Sequence, residues 1–114
     1  MKQPVDPSFK LGGKRFSCPV ALASYAINGK WKLQIINQLS VSKLLRFGEL
    51  KKRISDVSEK MLIQHLKKLE NDGLISRKVY PVVPPRVEYE LTKNGEAFKP
   101  VIDAMRNWGA LFNG

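Results

Sequence analysis

The apolar positions near the start of the chain predict a first helix that is buried. Residues 20–27 are apolar on nearly every side, and Ser24 is the one break in the pattern. A helix of this kind is buried in a core or in an interface. Pro19 suits its first position, because the missing N–H would have no partner there, and Gly29 suits its end. We therefore predict a helix that begins just after Cys18.

The next two predicted helices each bury one face. They span about residues 30–39 and 47–54 and are joined by a link over residues 40–45. Apolar residues recur three or four positions apart in both helices, which is the spacing of one helix face. These stripes consist of Trp31, Ile35 and Leu39 in the first helix and of Phe47, Leu50 and Ile54 in the second.

A fourth helix is predicted over residues 59–71, directly after a short turn. Its buried stripe consists of Leu62, Leu66 and Leu69. Ser58 is a good N-cap, and the glycine at position 73 stops the helix. Because only a few residues separate the third and fourth helices, the pair is predicted to form a helix-turn-helix.

The pattern changes from helical to alternating after residue 73. Residues 75–79 and 87–91 are rich in β-branched and aromatic side chains, and apolar residues of the second segment alternate with Glu88 and Glu90. This pattern is typical of half-buried strands. A stiff hairpin tip is expected between them, because proline cannot donate to a ladder; the prolines there are Pro81, Pro84 and Pro85.

A last helix is predicted over residues 93–112. Thr92 caps its start, and Pro100 lies inside it, where a proline kinks a helix. Its apolar face consists of Phe98, Ile102 and Met105, adjoined by Val101, Trp108 and Phe112.

The order of these elements predicts an α+β fold: a mostly helical winged helix-turn-helix with a C-terminal β-hairpin as its wing. Residues 18–114 form this domain. Residues 1–17 contain two prolines and two glycines together with several basic residues. We predict that they form a flexible basic arm.

The charge balance points to an anionic partner. Twenty Lys and Arg residues face ten Asp and Glu residues, which gives a formal net charge of +10. Basic domains of this size commonly bind nucleic acid, and a solvated basic surface is the alternative. The one cysteine rules out an internal disulfide and favours a reducing compartment. With neither a signal peptide nor a run of about 20 apolar residues, the chain is expected in the cytoplasm and not in a membrane.

The polar face of the fourth helix carries residue types that read the major groove. At about 100° per residue, the side chains opposite the leucines are Lys60, Gln64, Lys67 and Asn71, with Lys68 beside them. Lys can reach guanine or a phosphate, and Gln can form two hydrogen bonds to adenine. A solvated polar face alone does not indicate DNA binding, because every amphipathic helix has one. DNA binding is favoured because this helix is the second helix of a predicted helix-turn-helix.

The predicted wing is also basic. Arg77, Lys78 and Arg86 flank the proline tip, a position from which they can follow the DNA backbone or enter a minor groove. The alternative is that Lys78 pairs across the strands with Glu88 or Glu90.

Several short motifs follow one another along the chain. They are CPV at residues 18–20, GKWKL at 29–33, RFGEL at 46–50, SEKML at 58–62, LKKLENDGLI at 66–75 and YPVVPPRVEYELT at 80–92. Together they resemble the HxlR family of winged-helix regulators, which are relatives of the MarR group. The resemblance covers about residues 18–109, and the arm before it is longer than is usual in that family.

The resemblance implies a sequence-specific transcriptional regulator that binds double-stranded DNA as a homodimer on an inverted-repeat operator. The expected DNA-binding residues are Ser58, Lys60, Met61, Gln64, Lys67, Lys68, Arg77, Lys78 and Arg86. Members of the family dimerise through the first and last helices, which makes these the flanking dimerisation helices of the fold. The expected dimer interface consists of Val20, Tyr25, Ile27, Met105, Trp108 and Phe112.

Cys18 matches the position at which some members of that family carry a thiol sensor. A cysteine at a helix N-terminus feels the positive end of the helix dipole, which stabilises the thiolate. Lys14 and Arg15 add positive charge nearby. The alternative is an ordinary capping or buried cysteine. A small oxidant or electrophile is therefore a candidate effector.

The sequence offers no catalytic, cofactor or metal site. His65 has no Cys or His partner at metal-ligand spacing, so we expect no enzymatic activity, no cofactor and no metal. Two other binding functions remain as alternatives. A winged-helix protein-interaction module without DNA binding is disfavoured by the lysines of the fourth helix. An RNA-binding winged helix is disfavoured because that helix lacks aromatic residues for base stacking.

Overall fold

The fold is known from a computed structural model, which describes residues 9–114. Its strands and helices follow one another as β1 (Phe9–Leu11), β2 (Lys14–Phe16), α1 (Pro19–Ala26), α2 (Lys32–Val41), β3 (Leu44–Arg46), α3 (Phe47–Arg53), α4 (Glu59–Asn71), β4 (Ile75–Tyr80), β5 (Arg86–Leu91), α5 (Lys93–Glu96) and α6 (Lys99–Ala110). This order confirms the mixed helix and strand fold, with a helix-turn-helix at α3 and α4 followed by a β-hairpin wing.

The leucine stripe of α4 lies at the centre of the core. Leu62, Leu66 and Leu69 are each at most 2% exposed, as the spacing predicted. They share one apolar cluster with residues of α2, α3 and the sheet, chiefly Ile35, Ile36, Leu39, Leu45, Leu50 and Tyr89. Because its buried face is held by this cluster, α4 presents its opposite face to solvent.

Side-chain caps begin both helices of the helix-turn-helix. The Glu49 carboxylate accepts a 2.8 Å hydrogen bond from the backbone N–H of Arg46 at the start of α3. The Ser58 hydroxyl accepts one of 3.1 Å from the backbone N–H of Met61 at the start of α4. Val57 anchors the turn between them and is 1% exposed. The predicted bounds of α4 and its Ser58 cap are confirmed.

The wing belongs to a three-stranded antiparallel sheet with the order β3-β5-β4. The first strand of this sheet was missed, because residues 40–45 were treated as a link. Leu45 pairs with Tyr89 of β5 and is buried. A strand of three residues has no alternating pattern long enough to detect, and only its pairing with β5 defines it.

The prediction of one kinked helix over residues 93–112 is wrong. The chain instead forms α5 and α6, and Phe98 is the N-cap of α6. Pro100 lies in the first turn of α6, where a proline ring costs no helical hydrogen bond. The cap at Thr92 is confirmed by a 3.1 Å hydrogen bond from the backbone N–H of Gly95 to the Thr92 hydroxyl.

The N-terminal segment predicted as a flexible arm lies partly outside the described residues, since 1–8 are not among them. Within 9–16, β1 and β2 pair as an antiparallel hairpin, which the sequence reasoning did not foresee. Its two-residue turn consists of Gly12 and Gly13, with φ of +53° and +84°. Two glycines at positive φ form a common tight hairpin turn, and this turn signal was overlooked.

Helix α1 packs beside this hairpin and joins the main core only at its C-terminal end, through Ala26. Ala26 is its one buried residue, and Val20 is 75% exposed. The Phe16 and Tyr25 rings have centroids 5.4 Å apart, which joins the hairpin to α1. Within the described range 9–114, no helix is long and apolar enough to cross a membrane.

Candidate DNA-binding surface

The polar face of α4 is exposed along its whole length. The side chains of Lys60, Gln64, Lys67, Lys68 and Asn71 all lie on the solvent side, opposite the buried leucines. Ser58 caps the helix beside them, and Met61 is 36% exposed at its first turn. The structure therefore brings these sequence-predicted residues together on one helix face, which an α-helix can insert into a major groove.

Two cations of the wing gather around the ring of Tyr80. The guanidinium carbon of Arg86 lies 4.2 Å from the ring centroid, and the ammonium of Lys78 lies 5.2 Å from it. Tyr80 and Arg86 are opposite each other in the β4–β5 ladder. Such packing orders long side chains at the base of the proline tip.

The cross-strand ion pair considered for Lys78 is not the one that forms. Lys78 is opposite Glu88 in the ladder, but the ion pair at that carboxylate comes from Arg86, whose Nε lies 3.4 Å from a Glu88 oxygen. Among residues 9–114, neither glutamate of β5 lies within ion-pair distance of Lys78. Its charge is thus available to a polyanion.

Arg77 occupies a different environment from the other wing cations. It is opposite Tyr89 in the ladder, and it lines a cleft of about 360 Å³ between α4 and the wing. Burial raises the pKa of Tyr89, and a hydrogen bond from Arg77 opposes that rise. The cleft also exposes Lys67 and Glu70. Arg77 therefore belongs to the junction between α4 and the wing.

Arg46 is a candidate DNA-contacting residue that the sequence reasoning missed. It is exposed at the start of α3 and lines a groove of about 580 Å³ together with Arg86 and the wing tip. Arg46 is the last residue of β3, and it lies opposite Glu88 of the wing. Because β3 was not predicted, the sequence did not indicate that Arg46 lies near the wing.

The residues predicted for the dimer interface divide into two groups. Val20, Trp108 and Phe112 are 66–75% exposed, and Met105 is 41% exposed. The Trp108 and Phe112 rings have centroids 4.9 Å apart and form an apolar patch on α6. Tyr25 and Ile27 are half-buried within their own chain, where the Tyr25 ring is covered by Phe16.

Cys18 is exposed and is the N-cap residue of α1. Its side chain accepts no capping hydrogen bond from the helix. The Lys14 ammonium, which was expected to act near the thiol, lies 4.9 Å from the centroid of the Tyr25 ring. Solvent access, one requirement for a reactive thiol, is therefore met.

His65 is half-buried on the flank of α4. Burial lowers its pKa, and the positive charges of Lys32 and Lys68 lower it further. Over residues 9–114 there is no group of three or more His, Cys, Asp or Glu side chains able to hold a metal ion.

Comparison with known proteins identifies the family. The model of the HxlR-like helix-turn-helix family matches residues 26–114, which include the whole winged helix. The chain belongs to this family. Members of the HxlR family are transcriptional regulators rather than enzymes, and the family relationship implies DNA binding.

A curated relative of this HxlR-family chain is an HTH-type transcriptional regulator of Methanothermobacter thermautotrophicus. It is 43% identical over 102 residues, which cover 90% of this chain and 77% of that protein. The chain is thus a transcriptional regulator of the helix-turn-helix type.

Two solved structures resemble the HxlR-family chain over most of its length. A MarR-family transcriptional regulator from Porphyromonas gingivalis W83 is 46% identical, with a TM-score of 0.81 over 88% of this chain and 97% of that one. The redox regulator HypR in its oxidized form is 35% identical, with a TM-score of 0.78 over 85% of this chain and 99% of that one.

Proposed function

We propose that this HxlR-family regulator binds duplex DNA as a homodimer, with α4 in the major groove and the wing along the backbone. The observation that carries the proposal is the exposed row of lysine and amide side chains on α4, next to the cations of the wing. With a net charge of +10, the chain is attracted to DNA at long range, and the α4 side chains then read the bases. We place this activity in the cytoplasm.

The proposed dimer is symmetric and uses α1 and α6. A monomer would leave Trp108 and Phe112 about two-thirds exposed, and clustered apolar surface of this kind is typical of a protein interface. A two-fold interface is the commonest way to cover it. Two copies of α4 related by such an axis would bind an inverted repeat whose half-sites lie roughly 34 Å apart, or a multiple of that distance.

The test begins with selection of bound fragments from random duplex DNA and then compares variants on the selected site. Gln64→Ala should change the base preference at one position in each half-site, because Gln reads base edges. Arg86→Ala should instead weaken binding to all sequences and lower the salt slope by about one per lost phosphate contact. Lys99→Ala is the charge-matched control, because Lys99 lies on α6 and pairs with Glu96; it should change neither property.

Two outcomes would contradict this assignment. If the wild-type protein selects no sequence and binds duplex DNA no better than Arg86→Ala does, the chain is a protein-interaction module instead. If Gln64→Ala keeps the wild-type site preference, the reading face of α4 is assigned wrongly, although DNA binding itself stands.

A response to oxidants or electrophiles through Cys18 is the proposed mode of regulation. Cys18 is exposed at the start of α1, a helix assigned above to the dimer interface. HypR, a structural relative, is described as a redox regulator. Modification of Cys18 would shift one dimer helix against the other and change the spacing of the two α4 helices.

A further inference from the structure

We propose that the N-terminal hairpin, residues 9–16, is a positioning element for the recognition helix α4, which it holds at its C-terminal end. The inference rests on the proposed DNA binding, because α4 is the helix assigned to the major groove. The hairpin lies before the stretch matched by the family model, which begins at residue 26.

The hairpin turn lies directly against the end of α4. Gly12 sits at this turn, and Asp72 is the C-cap residue of α4. A methyl group at Gly12 would overlap the Asp72 carboxylate and would come within 3.3 Å of the Asp72 Cα. The carboxylate can rotate away, but the backbone cannot. A methyl group at Gly12 therefore requires the Asp72 carboxylate to rotate and the hairpin or the last turn of α4 to shift by a few tenths of an ångström.

The hairpin is fixed to the rest of the protein both beside its turn and at its open end. Leu11 packs on the main apolar cluster, and the Phe16 ring lies against Tyr25 of α1. The Lys14 ammonium covers the same Tyr25 ring from 4.9 Å. Since the hairpin is held at both Leu11 and Phe16, its turn can act as a fixed stop for α4.

The space near the hairpin contains polar groups from α2 and α4. Lys32 of α2 is 2% exposed, and its ammonium donates a 3.1 Å hydrogen bond to the Asn28 side chain. Burial lowers the pKa of Lys32; the negative charge of Asp72 opposes this, and Lys68 adds to it. One Asp72 carboxylate oxygen and the Nε2 of His65 are buried without a hydrogen-bond partner among the described residues.

Buried polar groups of this kind tie the position of α4 to that of the hairpin. Lys32 and Asp72 form no ion pair within residues 9–114, but the Asp72 charge favours the Lys32 ammonium, and buried polar groups are costly to leave without partners. A shift of the turn at Gly12 would admit water beside Asp72. The last turns of α4, which expose Lys67, Lys68 and Asn71, would then lose their fixed orientation toward DNA.

Two neighbouring glycines provide a matched pair of variants. Gly12 and Gly13 both have positive φ, and the +84° of Gly13 lies farther outside the left-handed region open to alanine than the +53° of Gly12, so backbone strain alone would not make Gly12→Ala the more damaging change. A Cβ at Gly13 meets nothing within 4 Å, whereas one at Gly12 overlaps Asp72. We expect Gly12→Ala to weaken binding to the selected DNA site by about fivefold or more and Gly13→Ala to change it by less than about twofold. Both variants should remain dimers.

A double-mutant cycle identifies the contact responsible. Asp72→Ala removes the carboxylate that Gly12→Ala would overlap. The loss of affinity in the combined variant should be smaller than the product of the two separate losses, because the variants act on one contact. Equal effects of Gly12→Ala and Gly13→Ala, or losses that simply multiply in the combined variant, would overturn the proposal.

Hydrogen exchange tests, in the absence of DNA, whether the hairpin stabilises the C-terminal end of α4. The backbone N–H of Asp72 bonds to the Lys68 carbonyl at 2.9 Å, and that of Leu74 bonds to the Leu69 carbonyl at 3.0 Å. Both amides should exchange faster in Gly12→Ala than in Gly13→Ala, while amides in the middle of α4 exchange alike. If Gly12→Ala does not fold, Phe16→Ala serves as the second variant, because it loosens the hairpin from Tyr25 and should raise the same exchange rates.

These measurements separate the two proposals. A wild-type protein that binds no DNA contradicts the proposed function, while the exchange rates still report on the hairpin. A wild-type protein that binds DNA, together with Gly12→Ala and Gly13→Ala variants that match in affinity and in exchange, contradicts the positioning role alone.

Discussion

The hydroxyl of Thr92 donates a 2.6 Å hydrogen bond to the backbone carbonyl of Gly73. The same hydroxyl accepts a hydrogen bond from the backbone N–H of Gly95 and so caps α5. Gly73 ends α4 with a φ of +76°. One side chain therefore joins the exit of the recognition helix to the entry of the C-terminal helices.

Replacement of Thr92 by valine should lower the free energy of unfolding by about 2 kcal/mol, because the helix loses its N-cap and the Gly73 carbonyl loses a partner. Thr92→Ser keeps the hydroxyl and should lose less than about half of that amount. Urea unfolding followed by circular dichroism measures both. A loss in Thr92→Ser as large as that in Thr92→Val would contradict a dominant role of the hydroxyl at this junction.

Trp108→Ala should weaken the proposed dimer by about tenfold or more, because exposed aromatic residues clustered on one helix are typical centres of an interface. Val83→Ala is the control, since Val83 is fully exposed at the wing tip, away from α6. Sedimentation equilibrium gives the dissociation constants. A wild-type protein that is monomeric at micromolar concentration would refute the α1 and α6 interface.

His65 should make the stability of the protein sensitive to mild acid. Its pKa is lowered from 6.5 by burial and by the charges of Lys32 and Lys68. The unfolded chain therefore takes up a proton first, and stability should be full above pH 6.5 and fall as the pH drops below it. His65→Gln should flatten the stability curve between about pH 5 and pH 7. If His65→Gln had the same dependence of stability on pH as the wild type, other groups would be responsible for the acid sensitivity.

Cys18 should be the site of any thiol-dependent control. Diamide accepts two electrons and two protons from two Cys18 thiols, which yields a disulfide across the dimer if the two Cα atoms lie within about 7 Å. An electrophile such as a quinone would instead bond to one thiolate sulfur. Either treatment should change operator affinity in the wild type and leave Cys18→Ser unaffected. A change of equal size in both proteins would remove Cys18 from the regulation.

The sequence predicted those elements whose pattern is long and local. The thirteen residues of α4, its Ser58 cap and the two wing strands follow from spacing and capping chemistry. The short strands β1, β2 and β3 have three residues each. Only pairing with a partner strand defines segments of that length, so they could not be recognised by period.

The sequence predicted only that part of the candidate site whose side chains share one helix face. The exposed row on α4 follows from helical geometry, whereas the burial of Lys32 depends on an α1 and a hairpin that fold over it. Arg46 was missed and the place of Arg77 between α4 and the wing was not foreseen for a similar reason, because their surroundings come from strand pairs formed across the sheet. Charged residues are seldom buried, so no local pattern could have placed Lys32 inside.

Strand β4 is an edge of its sheet, with one row of backbone N–H and C=O groups open to a further strand. Such edges invite aggregation unless charge or proline blocks them. Here Arg77 and Lys78 lie on the exposed edge, and Pro81 follows directly after it. A second copy of the same edge would meet like charges before any backbone hydrogen bond could form. We expect the cations proposed to attract DNA also to oppose pairing of this edge with a second copy, and a variant that neutralises them should lose solubility along with affinity.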